Sequence, residues 1–469
     1  MKPNGINKNF KSKIIISIII TSLIITGGFR CKFITPSQKE LLKPVELSWW
    51  GVYDTSASFQ EIISSYTSAH PHIKISYRQL RADEFEKELI DALAEDRGPD
   101  IFSLRNTAIR KHLSKIEPLP AKTRMAFEIT QRALGIKEEK VIDIRENNSI
   151  TPQQLRNKFV DVVYGDVVIN DKIYGLPLSV DTLVLFYNRD LLNNAGIPLP
   201  PNSWVAIQEN IKRLAFQNNE GQLIQSGIAL GTGRNVNSSP DIISLLMMQN
   251  GAQMTDGRSV IFNVIPPGFT DRTYNPGQEA VRFYTDFANP GKEVYTWNKN
   301  FPDSIDAFAQ GKTAMIFGYN YHIPYLELRR QGKLNYGVSK MPQIEGRPEI
   351  NFANYWVHTV SKKSKNINEA WDFLQFATTN EIEAEKYLNK TLRPTALRGL
   401  IESQIKNDDL KIFAEQLLTA KNWYYGNNPE VVENSFIEMI ESINNGAEPR
   451  NAIDIAVQKI QQTFTELGY

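Results

Sequence analysis

Residues 45–66 read V-E-L-S-W-W-G-V-Y-D-T-S-A-S-F-Q-E-I-I-S-S-Y. An alternating apolar strand ends in two adjacent tryptophans, and a glycine and small polar residues come next. Ser58 and Glu61 have capping-box spacing, and Phe59, Ile62, Ile63 and Tyr66 recur at i, i+3, i+4, i+7, which predicts a helix. His70-Pro71 stops it, and I-K-I-S-Y at 73–77 alternates as a strand. A second helix begins near Asp83, with Phe85, Leu89 and Leu93 on one face, and Gly98-Pro99 breaks it before D-I-F-S-L at 100–104. Strand, helix, strand, helix, strand within about 60 residues predicts a parallel α/β sheet with right-handed crossovers.

Outward from that core the pattern loosens. Residues 110–158 are charge-rich and read as helical, and 159–187 read as strand, with a hairpin turn at Asn170-Asp171 and a central strand at L-V-L-F-Y 183–187. Ser203 should cap another helix, and Ile453, Ala456, Val457, Ile460, Phe464 and Leu467 form one stripe of a last helix. At 469 residues the chain is too long for one ordinary core, so two domains are expected. The composition, 41% hydrophobic and 10% aromatic, is that of a folded chain.

The net charge of +1 conceals an asymmetry: residues 1–31 carry five bases and no acid, leaving 48 bases against 52 acids. No concentrated basic face suits nucleic acid. Four lysines precede an apolar run at 14–29, which is short for a membrane span and suits a signal-peptide core. Residues 1–31 therefore read as a signal peptide or membrane anchor and 32–44 as a tether, with the body extracytoplasmic. Cys31, the single cysteine, stands where a lipoprotein's acylated cysteine would, although Arg30 before it departs from the small residue that motif wants. Lipidation and an uncleaved anchor both stand as readings.

Several stretches together resemble the extracellular solute-binding proteins of ABC importers, the carbohydrate-type group that includes maltose-binding and glycerol-phosphate-binding proteins. They are L-S-W-W-G, G-P-D-I-F, Y-G-L-P-L-S-V-D-T-L-V-L-F-Y-N-R-D, D-A-F-A-Q-G-K-T-A-M-I-F-G at 306–318, V-S-K-K-S-K-N-I-N-E-A-W-D-F-L at 360–374 and R-P-T at 393–395. The resemblance covers about 45–469. It implies an α/β periplasmic-binding-protein fold: two α/β lobes joined by crossing strands, with a ligand cleft between them. By analogy 45–178 plus 338–392 form one lobe and 184–333 plus 393–469 the other, with crossings near 179–183 and 334–338. The implied partners are a mono- or oligosaccharide and ABC permease subunits, for a monomeric, anchored protein without cofactor or metal.

The same resemblance proposes the ligand-binding residues. Trp50 would offer an indole to a sugar's C–H face. Asp181, at a crossing, would accept sugar hydroxyls or else hold backbone amides. Arg105 and Asn106 come after the third strand, where the absence of an aromatic counts against a stacked sugar. Gln249 and Asn250, Tyr319 and Tyr321, Trp356 with its neighbours Asn354 and Tyr355, Arg393, and Trp423 with Tyr424 complete the set, a place in the core or at the rim suiting each isolated aromatic as well as binding does. Trp204 and Trp371 are assigned to helix packing.

An enzyme would need a constellation the sequence does not offer. His70-Pro71-His72 is the only close histidine pair, and no G-x-S-x-G occurs. Two cleft carboxylates about 5–9 Å apart would make a glycosidase, and a ligand-sensing subunit of a receptor would share the same cleft. The reading favoured is a binding protein, not an enzyme.

Overall fold

The computed structural model describes residues 43–133, 137–329, 332 and 334–465. Residues 1–31, expected as signal peptide or anchor with Cys31, the expected tether up to residue 42 and Leu467 lie outside the described residues. Strand β1 (Val45–Val52) buries Leu47 and Trp49 on one face. Trp49 packs against Phe59 at 4.3 Å, His358 at 4.9 Å and Tyr77 at 5.1 Å. Gly51 leaves room for the Tyr77 ring, because a Cβ there would meet its hydroxyl at 2.3 Å. Helix α1 (Ser56–Ala69) buries Phe59, Ile62 and Tyr66. Its cap is Thr55, so the box expected between Ser58 and Glu61 lies one turn inside the helix and does not form. Strand β2 (Ile73–Leu80) runs parallel to β1 in unbroken register, helix α2 (Ala82–Ala94) comes next, and β3 (Ile101–Arg105) flanks β1 on the other side, also parallel.

After β4 (Ile116–Glu117), the expected helices are replaced by a two-stranded ribbon, β5 (Lys122–Ala133) and β6 (Lys137–Asn148). The run V-I-D-I-R at 141–145 is β-branched and alternating, which outweighs the helix-like spacing of the charges. The chain divides into two compact units, the smaller including Ala126–Arg145 and the larger Pro44–Met125 with Glu146–Tyr469. Within the larger unit the roots of the ribbon are held, Thr123 donating to Asp372 at 2.9 Å and the Ile150 amide to Gln375 at 2.8 Å. Helix α3 (Pro152–Lys158) carries a capping box of Thr151 and Gln154. D-V-V-Y-G-D-V, expected as strand, is helix α4 (Asp161–Val167), because Val163 and Val167 are four apart and both buried. The Asn170-Asp171 turn forms as expected, both residues at positive φ.

A second sheet begins at β7 (Val184–Asn188). Helices α5 (Trp204–Leu214, capped by Ser203), α6 (Ser239–Gln249) and α7 (Pro276–Asp286) intervene before its partners β8 (Met315–Gly318) and β9 (Tyr336–Ser339). The strand expected to be central is central, with both neighbours antiparallel to it. One contiguous apolar cluster gathers this sheet, its helices and, further on, Phe413, Phe436 and Ile460.

Residues 336–339 thus belong to the second sheet, and the chain returns to the first only at 351–356. Strand β10 (Trp356–Ser361) lies antiparallel to β3 and completes the order β2-β1-β3-β10-β4. Helices α8 (Ile367–Thr379) and α9 (Glu381–Thr391) bury Trp371 and Leu388. Bridges Leu176–His358, Ser179–Thr395 and Thr182–Ala353 show three passages of chain lying side by side between the sheets. Helices α10 (Pro429–Asn444) and α11 (Pro449–Thr465) close the second body, the latter burying Ile453, Ala456, Ile460 and Phe464 as its stripe predicts. Among the described residues no helix is long and apolar enough to cross a membrane.

Candidate functional site

Between the two sheets the strand ends of the first face helix starts and a turn of the second. β1 does not stop at its tryptophans but runs to Val52. The Asp54 amide then donates back to the Val52 carbonyl at 2.8 Å, closing a γ-turn around Tyr53 at φ 65°. Tyr53 is 52% exposed. Its ring stacks on Tyr321 at 6.0 Å and meets the edge of Trp356 at 5.8 Å. Trp356 opens β10 opposite Arg105, and Phe85 of α2 backs it at 6.2 Å. Tyr321 stands on the single 3₁₀ turn Asn320–His322 after β8, and Tyr319 stacks behind it at 5.3 Å. Three tyrosines therefore form a column from one body to the other.

Charges frame the column. Arg105 pairs with Glu433 of α10, and Lys111 lies 2.5 Å from Glu86 on its own side and 2.9 Å from Glu430 opposite. Asp241, in the first turn of α6, accepts from the Tyr319 hydroxyl at 2.6 Å and the Asn354 amide at 3.2 Å. Burial pushes its carboxyl up to about 6, with Glu433 adding to the effect and those hydrogen bonds opposing it. Asp181 accepts the Thr182 amide at 2.9 Å and the Tyr321 amide at 3.3 Å. Burial lifts it to about 7 against those bonds and the nearby Arg393. Asp54 accepts from Arg393 and from the Tyr387 hydroxyl, both at 2.9 Å. A cavity of about 40 Å³ remains beside Arg105, Asp241, Asn354, Trp423 and Glu433. Small-molecule sites occupy roughly 300–1,000 Å³, so a sugar enters only when the walls part.

The structure gathers Arg105, Tyr319, Tyr321 and Trp356 at this place, with Asp181 beneath the turn and Arg393 reaching it through Asp54. Asp181 is engaged as the backbone-holding carboxylate, the second of its two expected roles. Asn106 is buried below, donating to Asp166 at 2.9 Å. Trp423 turns its Nε1 to Ser244 at 3.1 Å and Tyr424 its hydroxyl to Thr463 at 2.9 Å, and both border the small cavity from inside the second core.

Trp50, Gln249 and Asn250 are not brought there. Trp50 is two residues short of the strand end and on the face opposite Trp49, where the Arg78 guanidinium covers its ring at 4.8 Å. Gln249 is buried, accepting from Trp204 Nε1 at 2.6 Å and donating to the Ile350 carbonyl at 3.0 Å. Asn250 binds the Pro276 carbonyl and the Tyr274 hydroxyl, each at 2.8 Å. Gln249 ends α6 and Asn250 caps it, about 12 to 14 Å from Asp241 in its first turn at about 1.5 Å per residue. Tyr53, Asp54, Asp241 and Glu433 were not foreseen. For Tyr53 the signal existed, since ligands of open α/β sheets sit beyond the carboxyl ends of strands. Among the described residues no cluster of His, Cys, Asp and Glu is arranged to hold a metal.

Two bodies on separate sheets, joined by side-by-side antiparallel passages of chain and facing one another across an aromatic and charged seam, define a periplasmic-binding-protein fold. The chain belongs to the bacterial extracellular solute-binding proteins, whose family profile matches residues 51–384. A galactooligosaccharide-binding protein of Bacillus subtilis is 23% identical over 316 residues, 65% of this chain and 69% of that one. The crystal structure of a cyclic α-maltosyl-1,6-maltose binding protein from Arthrobacter globiformis superposes with a TM-score of 0.68 at 17% identity, covering 90% of this chain and 99% of that one. A cyclo/maltodextrin-binding protein complexed with maltotetraose gives 0.66 at 16% identity, covering 91% and 99%. The chain's role is accordingly that of the extracytoplasmic substrate-binding component of an ABC importer.

Proposed function

We propose that the protein captures a sugar, foremost an oligosaccharide, between its two lobes and presents it to a permease without chemically altering it. The observation that carries this reading is the tyrosine column with Trp356 beside it. Flat rings offer large apolar faces at low entropy cost, which suits the C–H faces of pyranoses. Around them Asp241 and Glu433 offer acceptors and Arg105 a donor for hydroxyls, while Asp54, Asp181 and Arg393 support the turns that carry the rings. Relatives named for galactooligosaccharide and maltodextrin binding support the ligand class. The lobes are the bodies built on the two sheets, with the boundary at the side-by-side passages near 176–183, 351–356 and 393–397. Closure draws its energy from contacts made only when both lobes touch the sugar. The basic, apolar start of the chain supports tethering at the outer face of the cytoplasmic membrane, with Cys31 as the lipid attachment point, and the protein acts as a monomer.

Thermal unfolding against mono- and oligosaccharides, with chromatography of each mixture afterwards, tests the reading. A sugar at 100 times its Kd stabilises by about 2.7 kcal/mol, a shift of a few degrees. Recovery of that sugar intact is the expected result. A consumed sugar would establish an enzyme, and a panel that shifts nothing would overturn the ligand class.

A further inference from the structure

Tyr53 sits where no side chain settles readily. Its φ of 65° lies in the left-handed region, which any residue with a Cβ disfavours, and glycine would be the easy occupant. Glycine would bring no ring to Tyr321 and Trp356. Something must therefore hold a tyrosine in this turn, and the surroundings supply it. Asp54, the next residue, has both carboxylate oxygens fixed from α9 and the segment after it: Oδ1 by the Arg393 guanidinium at 2.9 Å and Oδ2 by the Tyr387 hydroxyl at 2.9 Å. Gln79 of β2 donates to the Tyr53 carbonyl at 3.2 Å. Both side chains of the ion pair are 18% exposed, so the pair is shielded from water on both partners. On the other side of the pair, Leu392 precedes Arg393 with φ 51°, also left-handed. Each member of the pair thus comes directly after a residue in a disfavoured conformation, and the Gln404 amide holds the Arg393 carbonyl at 3.0 Å.

We propose that Asp54, locked by Arg393 and Tyr387, is a positioning residue that holds Tyr53 in its left-handed turn and so aims the Tyr53 ring across the cleft at Tyr321. The proposal rests on the reading of the tyrosine column as the sugar site, and assigns to Arg393 the support of a binding ring. Strain of this kind persists only where the surroundings over-determine it. Without the Asp54 anchor the turn relaxes to negative φ and the ring swings out of the column. The consequence is specific to one side chain, since β1 itself is held by its full register with β2.

The test places 3-fluorotyrosine at position 53 of the full chain, purified in detergent, and tracks its fluorine resonance. Tyr321→Ala gives the position of an unstacked ring. Asp54→Asn and Tyr387→Phe are expected to move the resonance towards that position while circular dichroism stays unchanged. Arg393→Lys, which keeps the charge, is expected to move it less than Arg393→Met. Should Arg393→Met fail to fold, the Asp54 and Tyr387 variants decide alone. A folded Asp54→Asn protein with its resonance at the wild-type position overturns the proposal. The sugar reading is judged separately, by titrating maltotetraose and galactooligosaccharides into Tyr53→Ala. If that variant binds as wild type does, the reading of the column fails whatever the resonance shows. If it binds about two- to tenfold more weakly, the worth of an aromatic pair, Asp54→Asn should lose a similar factor and the double variant no more than either.

Discussion

The two walls of the cleft are made differently. The wall on the five-stranded sheet is built at strand ends: Tyr53 and Asp54 just beyond β1, Arg105 closing β3, and Trp356 opening the antiparallel β10 beside it. The wall on the three-stranded sheet consists of the first turn of α6 with Asp241, a single 3₁₀ turn at Tyr321 and the first two turns of α10 with Glu430 and Glu433. The first wall carries the exposed Tyr53 ring, the half-buried Trp356 and the cations Arg105 and Lys111, the second the carboxylates Asp241, Glu430 and Glu433. Closing the cleft therefore matches opposite charges, and a mixed sheet with a parallel core and an antiparallel sheet reach the same place by different local means.

The comparison can be broken at several points. The largest effect is expected at Asp181, whose carboxylate holds the Tyr321 amide of the second wall. A folded-state pKa near 7 against about 4 when unfolded means the folded protein keeps a proton the unfolded chain releases. The resulting stability is full below about pH 4 and is lost as pH rises through 7, on the order of 4 kcal/mol. Asp181→Asn should flatten that slope in denaturant titrations between pH 4 and 7, and an unchanged slope would assign it to other groups. Next comes the column itself: Tyr321→Ala should cost about 2 kcal/mol of sugar affinity by calorimetry, the burial value of one aromatic ring. Removing the charge match is milder. Arg105→Ala should shift closure, read by small-angle scattering with sugar present, by about 0.5 kcal/mol, because the pair is partly exposed, and salt should mimic it. Trp50→Ala is the smallest: sugar affinity unchanged, and about 0.5 kcal/mol of stability lost with the Arg78 contact. A loss of affinity there would return Trp50 to the site and redraw the first wall.

The first wall was the more legible in advance. Its sheet is read from local alternation and helix spacing between 45 and 104, and its strand-end rule needs only the order of elements. Even so, the glycine after Trp50 reads as a strand end, whereas pairing with β2 carries β1 on to Val52. That difference of two residues separates a ring under Arg78 from a ring in the cleft. The second wall was legible only where aromatics stood next to a strand, at Tyr319 and Tyr321. In α6 the resemblance points to Gln249 and Asn250 at one end, whereas the other end, with Asp241, faces the cleft.

The sequence by itself determined the family, the parallel core of the first sheet, the central strand of the second and the last helix, because period-2 and period-3.6 patterns and runs of matching motifs are local properties of the chain. It also supplied Arg105, Tyr319, Tyr321 and Trp356 as candidates. Only the tertiary structure decided that 110–158 holds a ribbon and that 161–167 is a helix. Only it brought Asp54 to Arg393, 339 residues away along the chain. Local pattern tells which face of an element is apolar; which end of it meets another body depends on contacts between residues that have no relation in sequence.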